Sequence, residues 1–162
     1  MSDYKIMNAQ LEALSESSRN YIPLLSNASA LIYENMKDLN WAGFYLVRND
    51  ALLLGPFQGK VACVNIAKGK GVCGTAYATD ETQLVKNVHE FPGHIACDSA
   101  SNSEIVVPIH HEGKVVAVLD IDSPLLSRFD EADKEGRESF VRKLEDLIDW
   151  DNTIEAEYNK WY

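Results

Sequence analysis

Cys97 stands in the run His94-Ile95-Ala96-Cys97-Asp98, inside a polar stretch of small residues from His89 to Ser103. A cysteine within an apolar strand is ordinarily packing material, because the free thiol behaves as a small buried hydrophobe. One placed in a loop among His, Asp and Ser suits reaction better than packing. The nucleophile is the thiolate, so a reactive Cys97 needs a cation, a helix N-terminus or hydrogen-bond donors to lower its pKa. His94 is the nearest such group in sequence, with an exposed loop histidine as its plain alternative. A second constellation is acidic. Val115 to Ile121 reads as an apolar strand, and it closes as Leu119-Asp120-Ile121-Asp122. Alternation puts Asp120 and Asp122 on one face. Glu104 opens the preceding strand, and a hairpin turning at His111-Glu112-Gly113-Lys114 brings it opposite Asp120 or Asp122. Three carboxyls so close cannot all ionise cheaply, so at least one pKa must rise and leave a neutral acid. For a single aspartate, closing a strand ahead of Pro124 would be explanation enough. Three acids converging with a loop cysteine favour chemistry.

The cysteines Cys63, Cys73 and Cys97 open two further readings. With His94 they could offer three thiolates and an imidazole to zinc. Cys63 and Cys73 stand ten apart, however, without a tight C-x₂₋₄-C knuckle, so no metal is expected. An odd count argues against a secreted disulfide scaffold. In a reducing compartment, cysteines serve as buried packing, metal ligands or reactive thiols. Lys68-Gly69-Lys70-Gly71-Val72-Cys73-Gly74 is glycine-rich but has neither the Walker ending nor the dinucleotide spacing. It reads as a tight turn that needs glycine's positive φ.

These side chains need elements to hold them. Met7 to Asn20 has helical spacing at Leu11 and Leu14, and a second helix follows Pro23 to about Leu39, with Ala28, Leu31, Ile32, Asn35 and Met36 on one face. Trp41 to Val47 is rich in strand formers, Asn49-Asp50 signals a turn, and Ala51 to Leu54 is the returning strand, ended by Pro56. Val61 to Ile66 is a third strand, Gln83 to Asn87 a short fourth, and Glu104–Ile109 with Val115–Ile121 the clearest hairpin. The stretch from His89 to Ser103 is long for a connection in a compact domain, which marks it as functional or mobile. A last amphipathic helix runs from about Phe129 to Trp150. Helices flanking a strand-rich middle with short turns predict an α+β domain with a mainly antiparallel sheet.

Composition sets the outer limits. The chain has 162 residues, 46% hydrophobic and 25% charged, which is globular and fits one domain. A net charge of −10 is wrong for nucleic acid, whose phosphates require a basic face. No apolar run approaches membrane-spanning length, and Met1-Ser2-Asp3-Tyr4-Lys5 does not start a secretory signal. The expected location is cytoplasmic, with no membrane partner.

The stretches Gly59–Cys63, Gly69–Ala76, Phe91–Val106, Gly113-Lys114 and Val118–Pro124, together with Asn40–Tyr45 and the helix after Phe129, closely resemble the free methionine-(R)-sulfoxide reductases, which are single GAF-domain enzymes. The resemblance covers nearly the whole chain. It implies a six-stranded antiparallel sheet flanked by helices in one GAF domain over residues 1–162, with the helical N-terminal segment at about 7–39, the sheet and active-site loops at about 40–123 and the C-terminal helix at about 129–150. It implies Cys97 as the catalytic thiol, Cys63 as the resolving one, and Cys73 as a third cysteine, either an alternative resolver or a relay toward the reductant. Glu104, Asp120 and Asp122 are implied to line the substrate pocket, with Trp41 and Tyr45 beside it. The implied substrate is free methionine sulfoxide. No cofactor is expected to be bound, and reducing equivalents would come from thioredoxin. The aromatic residues Trp150 and Trp161-Tyr162 would pack on the core or in a homodimer. The alternative is a GAF module that senses a small ligand without catalysis.

Overall fold

In chain order the elements are Asp3–Ser15 (α1), Tyr21–Asn35 (α2), Trp41–Arg48 (β1), Ala51–Gly59 (β2), Asn65–Ala67 (β3), Gly71–Thr79 (α3), Gln83–Val85 (β4), Ser103–His111 (β5), Lys114–Ser123 (β6) and Glu131–Leu147 (α4). A short 3₁₀ turn, Val88–Glu90, follows β4. The structure, a computed structural model, describes residues 3–95, 97 and 99–151. The six strands form one sheet in the order β3-β2-β1-β6-β5-β4, and its pairings are antiparallel.

Period-two alternation assigns each face of this sheet a different task. Ala42, Phe44 and Leu46 of β1, Ile105, Val107 and Ile109 of β5, and Ala117, Leu119 and Ile121 of β6 share one face and form the main core with α1, α2 and α4. Burying each of the larger of these side chains contributes about 1.5–3 kcal/mol. The opposite face carries Trp41, Tyr45, Val106 and Val118, covered by Val72, Cys73 and Ala76 of α3. That second layer is smaller, and the acids lie at its end. The helices start where side chains satisfy free backbone N–H groups. The Asn20 side chain accepts from Ile22 N at α2, and Asp130 and Asp133 form a reciprocal capping box at α4. Buried Arg137 fastens α4 to α1 by bonding the Tyr4 hydroxyl, and is held in place by Asp133 of its own helix at 3.1 Å. No helix among the described residues is long and apolar enough to cross a membrane.

Several expected boundaries moved, each for a local reason. Pro56 does not end β2, which continues to Gly59. The β1–β2 register shifts between Gly43↔Phe57 and Tyr45↔Leu54, so Gly55 and Pro56 together oppose Phe44. A proline without an N–H fits such a bulge, and its carbonyl is used by Ser29 Oγ, which donates to it at 3.2 Å. The third strand is Asn65–Ala67 rather than Val61 to Ile66: it pairs with Leu53, Leu52 and Ala51, and before it only the Val64 carbonyl still accepts from β2, from Leu54 N at 2.9 Å. Val61 is 88% exposed and has left the sheet. The fourth strand stops at Val85, α1 ends at Ser15, α2 at Asn35 and α4 at Leu147. Trp150, beyond α4, packs into the main core. Trp161 and Tyr162 lie outside the described residues.

The bulge leaves no room at Gly43. A Cβ there would overlap Cβ of Phe57 and press on the Pro56 carbonyl. Gly43→Ala should therefore lower stability by about 1–3 kcal/mol, the usual cost of overpacking. A urea titration checks this; an unchanged midpoint would mean that the bulge is pliant.

Candidate active site

Strand register brings the acids together. Glu104 of β5 lies opposite Asp122 of β6, and Val106 lies opposite Asp120. Trp41 and Gly43 of β1 lie opposite Asp122 and Asp120 from the other side. Glu104, Asp120 and Asp122 thus share the sheet face that carries Trp41 and Tyr45, and Cys73 of α3 descends onto it. Glu104 and Asp120 are buried, at 7% and 6% exposure. The Cys73 thiol lies 4.0 Å from Glu104 Oε1. Ser101 Oγ donates to Asp122 Oδ2 at 2.9 Å, and Asn40 Nδ2 donates to Ser101 Oγ at 2.9 Å. Asp120 Oδ1 and Asp122 Oδ1 are buried without a partner.

Burial, reinforced by mutual repulsion, makes this floor proton-rich. Loss of solvent pushes the Glu104 carboxyl well above its ordinary 4.5, and the negative fields of Asp120 and Asp122 add to the shift. Asp122 is pushed well above 3.8, first by burial and then by Asp120. Burial also raises Asp120, but hydrogen bonds from Glu104, Cys73 and Asp122 converge on it and oppose the shift. Asp120 is therefore the member best prepared to carry the negative charge. Burial and the surrounding acids drive the Cys73 thiol well above 9.0, so it stays protonated.

The cleft above this floor has a cavity volume of about 40 Å³ in this disulfide form and is lined on its apolar side by Trp41, Tyr45 and Ile66. Trp41 stacks between Tyr45, at 5.9 Å, and Phe57, at 5.1 Å between ring centroids. Its lining, an apolar wall facing a few convergent polar groups, suits a small organic molecule. Cys97 and His94 line the cleft from the long loop. Burial and the neighbouring His89 hold His94 below its ordinary 6.5. A disulfide joins Cys97 to Cys63, with Cα atoms 5.5 Å apart. The two cysteines come from separate segments, and the Tyr45 hydroxyl donates to the Cys63 carbonyl at 2.9 Å, fixing the segment that carries Cys63.

A family model described as the GAF domain matches residues 25–149. The free methionine-R-sulfoxide reductase of Escherichia coli (strain K12) is 49% identical over 145 residues, 90% of this chain and 88% of that protein. The enzyme of the same name from Saccharomyces cerevisiae is 52% identical over 145 residues, 85% of this chain and 78% of that protein. The chain belongs to the free methionine-R-sulfoxide reductase family. The fRMsr of Staphylococcus aureus, solved in complex with substrate, superposes with a TM-score of 0.86 at 49% identity, covering 91% of this chain and 97% of that one.

As a member of the free methionine-R-sulfoxide reductase family, the chain shows how the fold gathers residues that are distant in sequence. Glu104, Asp120, Asp122, Trp41, Tyr45, Cys73 and Cys97 all line one cleft, and Cys63 is bound to Cys97. Asp98, part of the polar setting expected around Cys97, lies outside the described residues. Two contributors escaped the sequence reading. Ser101 was one small residue among several in a polar loop. The other is the first turn of α3, where Lys70, Gly71 and Val72 face the cleft and no side chain caps the helix. The glycine-rich run signalled the turn: Gly71 has φ 61°, and a Cβ there would meet Ile95 at 3.3 Å.

Proposed function

We propose that this chain reduces free L-methionine (R)-sulfoxide to methionine. The observation that carries the reading is Cys97, bonded to Cys63, at a cleft whose floor holds three carboxyls shifted toward their protonated forms. In the reduced enzyme the Cys97 thiolate attacks the sulfoxide sulfur. A Cys97–substrate S–S bond forms as the S–O bond breaks, the oxygen taking a proton from the acid cluster with Glu104 as the donor, and the hydroxide so formed attacks the Cys97 sulfur and expels the methionine sulfur with the S–S electron pair. Methionine leaves, and Cys97 is left as a sulfenic acid. The Cys63 thiol displaces that hydroxyl as water, forming the Cys63–Cys97 disulfide. A thioredoxin-type dithiol restores both thiols by exchange, with no bound cofactor. That recycling fits a cytoplasmic setting.

The same acids explain selection for the free amino acid. Ionised Asp120 pairs with the substrate α-ammonium, which a peptide-bound residue replaces with a neutral amide. The uncapped first turn of α3, beside Lys70, offers backbone N–H groups to the α-carboxylate. Trp41 gives the methyl–sulfur end an apolar wall. The acids also oppose formation of the Cys97 thiolate, and proton transfer within the bound complex offsets this.

The decisive test is incubation with dithiothreitol and the resolved sulfoxides. The free R form should be converted, while the S form and a blocked, peptide-like sulfoxide persist. A reduced, folded chain that leaves the R form intact would refute the proposal. Tyr45→Phe supplies a second check. Losing the hydrogen bond to Cys63 should cost about 1 kcal/mol of stability. It should also slow disulfide closure while sparing formation of the sulfenic acid. Equal rates of both steps in the variant and the parent chain would show that this bond does not position Cys63.

A further inference from the structure

The disulfide consumes Cys63 and Cys97, leaving Cys73 as the remaining thiol of a chain with three cysteines. Cys73 Sγ, a Glu104 carboxylate oxygen and an Asp120 carboxylate oxygen all lie within 4.8 Å of one another, each on a buried residue. They come from α3, β5 and β6, so packed secondary structure holds the trio in place. A second observation points to a ligand. Asp120 Oδ1 has no hydrogen-bond partner, although Asp120 is only 6% exposed and lines the cleft. An unpaired buried carboxylate oxygen is costly, and a cation would satisfy it.

We propose that the disulfide form of this chain binds a thiophilic divalent cation, zinc above all, through Cys73, Glu104 and Asp120. Donor atoms on one tetrahedral zinc stand roughly 3.2–3.8 Å apart. A contraction of about 1 Å, within the reach of side-chain rotation, would therefore complete three ligands. The fourth position opens on the cleft and takes water. One thiolate with two carboxylates selects zinc over magnesium or calcium, which want oxygen alone. The ion's own charge allows the thiol to lose its proton to solvent in a place that otherwise keeps it protonated. The site shares the floor of the sulfoxide cleft but does not rest on the reductase reading, because it needs only the Cys63–Cys97 disulfide, whatever oxidant closes it.

The test uses the oxidised, full-length chain, with Cys73 as its single thiol. Cobalt(II) should give a near-ultraviolet sulfur-to-cobalt charge-transfer band that saturates at a stoichiometry of one and is erased by zinc. Calorimetric titration with zinc alone should show binding at least tenfold weaker in Cys73→Ser and Asp120→Asn, with near-ultraviolet circular dichroism confirming the fold of each. The trio of half-buried His111 with exposed Glu112 and Asp151 is the control site. Absence of the sulfur-to-cobalt band in the parent chain, or zinc affinity that survives Cys73→Ser and falls in His111→Ala, would overturn the proposal. Sulfoxide turnover by the reduced chain, measured separately, reports on the reductase reading independently.

Discussion

Cys97→Ser should reduce turnover of free methionine (R)-sulfoxide to background, a loss on the order of 10⁴-fold or more by analogy with removal of other enzymatic nucleophiles. The hydroxyl is far less acidic than the thiol, and oxygen is a poor nucleophile toward sulfur, so no neighbouring group can substitute. Cys63→Ser should behave differently. It should release a stoichiometric burst of methionine and stall as the sulfenic acid, which small thiols then rescue. This contrast follows from the geometry: Cys97 lines the cleft, and Cys63 reaches it through the disulfide. Peptide mapping after one turnover of the parent chain should find Cys63 joined to Cys97, with Cys73 alkylated only after denaturation, since it is 4% exposed and its thiol is held protonated. A Cys97→Ser chain that still turns over, or a first disulfide through Cys73, would defeat the assignment of these thiols.

The legible part of this molecule was its periodicity. One hairpin turn and alternation put Glu104 opposite Asp120 or Asp122, and the register shift between Ile109 and His110 makes the partner Asp122. Placing three acids on one face accounts for the lesser part of the rise in carboxyl pKa; the larger part comes from burial, which only the packed fold shows. Lower legibility coincided with long-range backbone pairing. Nothing local in Val61 to Ile66 reveals that its ladder with β2 begins only at Asn65, or that Cys63 sits outside the sheet. Pro56 misled because a bulge depends on two strands at once, while a proline's preferences are read from one. Ser101 illustrates a third limit. Its hydroxyl is informative only because Asn40 and Asp122, 61 positions before it and 21 after, arrive on either side of it. The pairing of Cys63 with Cys97 was suggested by family resemblance, since the spacing of the three cysteines argued against a metal but did not say which thiols pair.

Glu104→Gln should lower turnover by about 10²–10⁴-fold, the usual contribution of a positioned acid, and should make the protein more stable as pH rises. Both effects arise from one proton. In the folded chain the Glu104 carboxyl titrates well above 4.5, chiefly because it is buried and secondly because Asp120 and Asp122 repel its charged form. The native state therefore holds a proton that the unfolded chain releases near 4.5. Below that value both states are protonated and Glu104 imposes no electrostatic penalty. As pH climbs from there toward the raised folded value, the unfolded state gains by ionising while the native state does not, so stability falls. Glutamine cannot ionise, and its amide can donate to Asp120, the point on which the cluster's hydrogen bonds already converge. The stability advantage of the variant should be least in acid and grow through neutrality. Some slope should persist, because Asp122 and Asp120 are also raised and titrate as a coupled group. Denaturant midpoints of both proteins across pH, set beside their pH–rate profiles, test the two halves together. Parallel stability curves would show that Glu104 is not the proton-holding member. A diverging stability curve with an unchanged rate profile would show that it holds a proton which the reaction does not use.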